Sequence, residues 1–483
     1  MNLQLVQGEG QRGPLLAGAT ICGSVAVLAA ATAAGLPVVE IAPLVALMAV
    51  AAVGYRSMLA WPSLLAVTIG VIMLIPIRRY EVPVNLPFQL ELYRVIVALI
   101  ALGWITSLLI DPRVRLRASG LEAPLALFVF AVLASELVNT GRIDPDVVKR
   151  LTFFLSFLLV FYLVVSVIRT LDGVDALLAV LVGSGAIVAA LALVEARTNV
   201  NLFNRLDGYV PFLRLSDLPL VPSRGARLRV YGSAQHPIAL GAVLVMLIPL
   251  SAYLARRTRR KLWWAAGTLL SLGAVATVSR TSILMLVVVG LVFLWLRPVQ
   301  TKRLWPLLLP LAIVIHLALP GTIGALKQSF FPAGGLIAEQ AGFAGYRGSG
   351  RVADLAPSLD QFANHPLLGL GFGTRVVDEG VLENAAILDD QWLGTLLETG
   401  ILGVSSLLWL FCRAARRFGT AAKEDQSERG WLLAAIAASL TAYAVGMFTF
   451  DAFSFIQVTF VMFILLAVGA VALRLESAPS GGQ

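Results

Sequence analysis

The stretch LDDQWLGTLLETGILG, residues 388 to 403, sets two adjacent carboxylates, Asp389 and Asp390, at the mouth of a run that otherwise reads as an apolar helix. Two kinds of chemistry suit them. A carboxylate just before a helix accepts hydrogen bonds from the backbone N–H groups that lack partners in the first turn, and it meets the positive end of the macrodipole. A carboxylate there also suits a general base, because a second one beside it raises the pKa of the pair towards neutrality.

A second group of side chains is basic. SRGARLRVYG, residues 223 to 232, carries Arg224, Arg227 and Arg229, and TVSRTS carries Arg280 between two apolar runs. Guanidinium groups bind phosphate through bidentate, charge-assisted hydrogen bonds, and neighbouring glycines let a ligand approach the backbone. Anion recognition is one reading. The other is a solvated loop that pairs with acidic segments or anionic head groups, with Arg280 in a structural salt bridge. Further along lie SGR with Arg351 and ANHPLLGLGFGTR with His365. Gly369, Gly371 and Gly373 imitate a phosphate-binding fingerprint, but no strand-turn-helix unit surrounds them, so a tight turn is expected. His365 and His236 each precede a proline and stand too far from a second ligand for a metal site, which leaves packed, hydrogen-bonded histidines. Glu398 shares a helical face with Gln391, Gly394 and Thr395, a small and polar stripe that must face protein, where it bonds a neighbouring helix or orients the site.

The elements that must position these groups lie in a bilayer. Of the 483 residues 58% are hydrophobic and 13% charged, and the mean hydropathy is +0.86, values outside the range of water-soluble domains. The expected fold is therefore all-α: a polytopic integral membrane protein with about 12–14 transmembrane helices, since each run of roughly 20 apolar residues spans a core of about 30 Å. Runs near 15 to 34, 38 to 55, 60 to 77, 92 to 110, 121 to 138, 151 to 168, 174 to 194, 236 to 255, 262 to 278, 281 to 296, 304 to 320, 391 to 411, 430 to 449 and 453 to 473 qualify. The first has no convincing cleavage site and is expected to stay.

Orientation follows from lysine and arginine. PRVRLR, RRTRRK, RPVQTKR and RAARRFGTAAKEDQSER all fall on even-numbered connections, which makes those connections and both termini cytoplasmic. Their charge accounts for much of the formal +9, with no call for nucleic acid. Cys22 and Cys412 read as small buried hydrophobes rather than a disulfide. Residues 1–483 then form a single transmembrane domain with two long extracytoplasmic loops. Loop 195–235 is basic, with six arginines against three acids; loop 321–390 is acidic, with four cations against eight acids. Function is sought in these loops and at polar groups beneath them. Asp451, in TFDAFSF between the last two spans, lies on the same side and is supported by position alone.

Three segments resemble the O-antigen ligase and O-antigen polymerase superfamily of bacterial membrane glycosyltransferases over roughly residues 224 to 403: RVYGSAQHPIALG, SRTS at 279 to 282, and SGR…FANHPLLGLGFG…DDQWLGTLLETGILG. The resemblance implies a C-type glycosyltransferase architecture in the bacterial plasma membrane. It also implies transfer of a glycan from a polyprenyl diphosphate carrier to an acceptor hydroxyl outside the cytoplasm, without metal, nucleotide sugar or other cofactor. The implied partners are that donor, a saccharide or lipid-glycan acceptor, the bilayer and other polysaccharide-assembly proteins. Asp389 aligns with the family's histidine or aspartate, so Asp389 and Asp390 are the catalytic candidates. Arg229, Arg280, Arg224 and Arg227 are candidates for the diphosphate, Arg351 and His365 for substrate contacts from the loop, and Glu398 and His236 for support. Relatives carry histidine, often followed by asparagine, or Asp-Asn at this position; the Asp-Asp pair leaves ligation and polymerisation both open. A lipid-linked oligosaccharide flippase is the competing reading, since many helices with a few buried charges also suit a carrier; against it stand the absence of an obvious internal repeat and a polar loop of about 70 residues. A cell-wall scaffold is a weaker third.

Overall fold

The computed structural model describes residues 60–82, 90–110, 114–139, 146–210, 213–216, 218, 229–332, 334–335, 355–373 and 388–475. The expected spans 15 to 34 and 38 to 55, Cys22, both termini, Arg224, Arg227 and Arg351 lie outside the described residues. Each of the other expected spans coincides with a helix: α1 Trp61–Leu74, α2 Leu92–Ile110, α3 Glu122–Val138, α4 Asp146–Val167, α5 Leu171–Thr198, α6 Pro237–Thr258, α7 Lys261–Ala276, α8 Arg280–Leu296, α9 Pro298–Leu304 with α10 Leu308–Ala318, then α13 Gln391–Glu424, α14 Glu428–Gly446 and α15 Ile456–Arg474. Between them, α11 Thr322–Phe330 and α12 Leu355–Asn364 fall within the loop expected at 321–390. Two spans differ from expectation. The run 304 to 320 is broken by a 3-10 turn at Trp305–Leu307, where Pro306 cannot continue an α-helix, and the run 391 to 411 continues to Glu424.

Among the described residues six helices, α2, α5, α6, α13, α14 and α15, are long and apolar enough to cross a membrane. Helices α6 and α15 are apolar on every side and buried along almost their whole length, the mark of central helices, whereas α2 is 28% buried and turns most of its surface outward. Small residues bring the helix starts together. A methyl group on Gly241 of α6 would sit 1.8 Å from Ser282 Oγ of α8, so only glycine lets these two backbones approach so closely.

Alternating helix directions gather the connections at two ends. At the first end, called lower here, arginines are tied to backbone carbonyls beside helix termini. Arg413 Nε and Arg417 Nη1 donate to Gly120 O at 2.7 and 2.8 Å, and Arg474 Nη2 donates to Val165 O at 2.6 Å. Cys412 faces outward from α13 rather than being buried; a spanning helix presents that surface to lipid, where a thiol is at home.

The upper end holds the connections after α1 and α5 and between α14 and α15. A short antiparallel pair, β1 Tyr80–Glu81 with β2 Arg214–Leu215, closes it in the register Tyr80 to Leu215 and Glu81 to Arg214. Buried Arg79 organises this end: Nη1 donates to Asn204 Oδ1 at 2.9 Å and Nη2 to Gly232 O at 2.9 Å and to Ala234 O. Its guanidinium lies 4.7 Å over the Tyr231 ring. Burial lowers its pKa to about 10, which leaves it charged at neutral pH. Glu195 completes the clamp by accepting from the N–H groups of Tyr231 and Gly232 at 3.3 and 3.0 Å.

Candidate functional site

The two aspartates of the 388 to 403 stretch have separate roles. Asp390 is the helix cap: it has extended backbone angles, and its Oδ1 accepts from the N–H groups of Trp392 at 2.9 Å and Leu393 at 3.1 Å. Asp389, one residue earlier and half-buried, stands outside that cap. The first turn of α13 is strapped to the connection 447–455. Gln391 N–H donates to Met447 O at 2.8 Å and Phe450 O at 3.2 Å, its Oε1 accepts from Phe453 N–H at 2.6 Å, and Trp392 Nε1 donates to Ala444 O at 3.0 Å.

That strap carries Asp451 to the aspartate pair. Ser454 Oγ donates to Asp451 Oδ2, and Asp389 and Arg78 both lie within electrostatic range of the Asp451 carboxyl. Burial pushes this carboxyl above the usual carboxylate range. Hydrogen bonds from Ser454 pull it down, the like charge of Asp389 pushes it further up, and Arg78 opposes the rise. Arg78 is exposed and has φ +64, a conformation that L side chains rarely adopt. Glu91 secures it: Oε1 accepts from Arg78 N–H at 2.6 Å while Oε2 holds Arg94 Nε at 2.9 Å.

The two described arginines of the basic set meet at the turn between α7 and α8. Arg229 is buried, with Nε donating to Thr277 O at 3.2 Å. Arg280 occupies the first turn of α8, half-buried, with Nε donating to Ser329 Oγ of α11 at 2.9 Å. Val278 between them has φ +49, a strained angle for a β-branched residue. Ser279 caps α8, and Thr281 Oγ1 pairs with Thr449 Oγ1 at 2.8 Å. The connection 447–455 therefore touches the Arg280 turn on one side and the Asp389 segment on the other.

A re-entrant turn completes the site. Gly369, Gly371 and Gly373 have φ of +68, +113 and +73, so the glycine triplet is the tight turn expected of it. The turn packs into a break in α13 at Gly400, where φ is +66 and ψ is −166. Across the break Leu370 N–H donates to Leu397 O at 2.9 Å, Gly371 N–H to Glu398 O at 3.1 Å and Ile401 N–H to Pro366 O at 2.9 Å. The helix carbonyls freed by the break thus keep partners, as backbone at membrane depth must. Helix α3 adds Ser135 Oγ to Glu398 O at 2.6 Å and Asn139 Nδ2 to Gly369 O at 3.2 Å.

Of the residues singled out in the sequence, the upper end gathers Asp389, Asp390, Arg229, Arg280, His236 and His365. His236 is a hydrogen-bonded cap, with Nδ1 accepting from Ile238 N–H at 3.2 Å, and stacks on Phe455 at 5.6 Å. His365 departs from expectation: its side chain is exposed rather than packed, because Pro366 directs the chain into the turn while the histidine remains at its rim. On the stripe led by Glu398, Gln391 and Thr395 are buried, and at Glu398 itself the backbone carbonyl makes the bonds to α3 and the turn. One residue of the site escaped sequence reasoning: nothing local marks Arg78. Asp451 was singled out by its position between the last two spans, and the structure brings it within electrostatic range of Asp389.

Fold and site together define a class: a multi-pass helical membrane protein with charged, strained turns gathered at one end. Residues 265–408 match the family model described as O-antigen ligase. That segment is similar to a family of membrane proteins engaged in glycan assembly. The matched segment includes Arg280, His365, Asp389, Asp390 and Glu398 and ends before Asp451; Arg78 and Arg229 precede it. Comparison with curated proteins finds no match.

Proposed function

We propose that this protein is a metal-independent glycosyltransferase that moves a glycan from a polyprenyl diphosphate carrier to an acceptor hydroxyl on the extracytoplasmic face of a bacterial plasma membrane. The observation that carries the reading is the division of labour at the start of α13. Asp390 satisfies the helix, while Asp389 lies within electrostatic range of Asp451, as Arg78 does, at the end of the bundle that also holds Arg229 and Arg280.

In the reaction the acceptor hydroxyl gives its proton to the Asp389 carboxylate as its oxygen bonds to the anomeric carbon. The bond from that carbon to the diphosphate oxygen breaks, and its electron pair leaves with the carrier. Charge thus builds on the diphosphate, where Arg229 and Arg280, assisted by Arg224 and Arg227, stabilise it as a divalent cation would. The anomeric carbon passes through an oxocarbenium-like state, in which a carboxylate base is effective. Arg351 and His365 contact the substrate from the loop. A donor that remains in the bilayer reaches such a site sideways, with its saccharide in water.

The test uses the purified full chain in lipid nanodiscs with a polyprenyl diphosphate oligosaccharide, without nucleotide sugar or divalent metal. Release of free carrier with a ladder of products defines a polymerase, and release with a single new conjugate defines a ligase. Transfer of the intact lipid-linked sugar between leaflets without release overturns the reading in favour of a flippase.

A further inference from the structure

We propose that Arg78 and Arg94 form a docking site for the diphosphate of a polyprenyl carrier at the upper rim of the bundle, with the prenyl chain along the outer face of α2. The inference rests on the transferase reading above and deepens it by naming where the lipid donor first meets the protein.

Glu91 sets the pair. Its side chain is buried, and both carboxylate oxygens are engaged, Oε1 by Arg78 N–H at 2.6 Å and Oε2 by Arg94 Nε at 2.9 Å. Tyr93 Oη accepts from the same Arg94 Nε at 3.2 Å, and its ring packs edge-on against Phe460 of α15 at 5.7 Å. Arg94 is therefore held through Nε, which leaves its two Nη nitrogens for a ligand. Among the described residues, neither those nitrogens nor the Arg78 guanidinium makes a hydrogen bond. Arg78 is exposed and the Arg94 side chain is 25% exposed. Arg79 behaves differently: it is buried and binds acceptors of the protein through both Nη nitrogens. Strain singles out the same residue, since the φ of +64 at Arg78 is the kind of cost that collects at ligand clamps.

Three observations direct the pair towards a lipid diphosphate. Arg94 heads a face of α2 on which Ala98, Leu102, Ile105 and Leu109 follow at helical spacing, all exposed. Two cations above an apolar stripe complement an anionic head on a hydrocarbon chain, and two guanidiniums offer one fork to each phosphate. The rim is also continuous with the candidate site. Met73 O, at the end of α1 that leads to Arg78, accepts from Ser233 Oγ at 2.6 Å and Gln457 Nε2 at 3.0 Å. This ties it to the segment that follows Arg229 and to the start of α15, just beyond Asp451. Finally, exposed arginines on the extracytoplasmic face taken in the transferase reading run against the usual distribution of cations, and an anionic ligand accounts for them.

The test photolabels the full chain in phosphatidylcholine nanodiscs with a polyprenyl diphosphate that carries a photoreactive group near the head of its prenyl chain. Wild type should be labelled on α2 around Ala98 and Leu102; unmodified polyprenyl diphosphate should displace the probe, and an equal excess of phosphatidylglycerol should not. Arg78→Gly and Arg94→Gln should each cut this labelling about ten-fold, the worth of one charge-assisted hydrogen bond. Glycine adopts a positive φ freely, so Arg78→Gly should keep or raise Tm while labelling falls, a combination that loss of fold does not produce. Labelling that is the same in both variants as in wild type overturns the proposal. Displacement by phosphatidylglycerol as effective as that by the carrier also overturns it, because the rim would then be a phospholipid site. A wild type that releases carrier in the transfer assay without labelling on α2 removes the rim site alone, whereas one that neither releases carrier nor is labelled removes the transferase reading with it.

Discussion

Helix α14 runs between two aspartate-bearing turns that treat their carboxylates in opposite ways. At the lower end Asp425 sits among compensating charges and donors. Burial alone pushes its carboxyl up, but hydrogen bonds from Ser427 and the charges of Arg429 and Arg297 outweigh that and hold it below the usual carboxylate range. Ser427 N–H donates to Asp425 Oδ1 at 2.8 Å, Arg429 Nε lies 3.2 Å from Oδ2, and Arg297 Nη2 takes the backbone carbonyl at 2.6 Å. At the upper end burial raises Asp451, and Asp389 adds to the rise. Matched charge makes the lower turn a fastener. The upper turn retains an unfavourable carboxylate pair, and costs of this kind cluster where a site needs a shifted pKa.

The largest expected effect breaks this comparison at its sharpest point. Asp389→Asn keeps the shape of the segment and leaves the Asp390 cap intact, yet removes the proposed base. Transfer should fall by at least about 100-fold in the carrier-release assay, with folded yield unchanged. Asp425→Asn at the other end should leave the rate within about two-fold, because it touches neither substrate nor base. Near-wild-type turnover in Asp389→Asn would mean that both ends of α14 are merely structural.

A second contrast concerns backbone. A methyl group on Gly400 would lie 2.3 Å from Leu367 C and O, with φ already at +66. At the lower end Gly120 also has positive φ, +75, but a methyl group there meets the guanidinium of Arg417, a flexible side chain that can move aside. Strain and backbone overlap together put Gly400→Ala at about 3 kcal/mol or more, against about 1 kcal/mol for Gly120→Ala. Folded yield and unfolding temperature in detergent measure both. Equal losses would show that the re-entrant turn is no firmer than an arginine clamp.

The same two ends separate what sequence reveals from what it hides. The spans were legible because the solvent is apolar: each run near 20 residues between charged connections coincides with a helix wherever residues are described, and the breaks within two of them have local causes, Pro306 in one and Gly400 in the other. The Asp389–Asp390 segment was legible too, although its division into cap and candidate base required the hydrogen bonds of Trp392 and Leu393. The break at Gly400 was hidden, since its carbonyls are satisfied by a turn about 30 residues earlier in the chain, a compensation that helical periodicity cannot register. Arg78 was hidden for a similar reason: it comes within range of Asp451 only after α1 and α14 have packed, and it stands in no motif; Asp451 was marked by its position alone.

A smaller effect is expected from the arginines. Arg280→Ala removes one charge from the proposed diphosphate position while α8 keeps its Ser279 cap, so affinity for a polyprenyl diphosphate should weaken by roughly ten- to a hundred-fold, the range for one charge-assisted hydrogen bond. Arg413→Ala, at the lower end, loses its bond to Gly120 O and should leave affinity unchanged. Equilibrium binding of the unglycosylated carrier to the protein in nanodiscs reads both, and equal weakening would mean that Arg280 acts through the fold.

The smallest effect tests the sign of the two carboxylates directly through stability. Asp425 has a depressed pKa in the folded state, so its contribution is present above the unfolded value near 3.9 and is lost as pH falls through the folded one. Asp451 has a raised pKa in the folded state, so its contribution is complete below about 3.9 and is lost as pH rises through the folded value. Asp425→Asn should therefore lower Tm at neutral pH and flatten the acid loss of stability, whereas Asp451→Asn should raise Tm at neutral pH and leave it unchanged in acid. Shifts on the order of a degree or two are expected for a chain of this size, and unfolding followed by tryptophan fluorescence from about pH 2 to 8, a range that spans the unfolded carboxylate value, resolves their direction. Slopes of the same sign would mean that the carboxylate beside Asp389 is as well matched as the one in the fastener, and the electrostatic difference between the two ends of α14 would no longer mark a site.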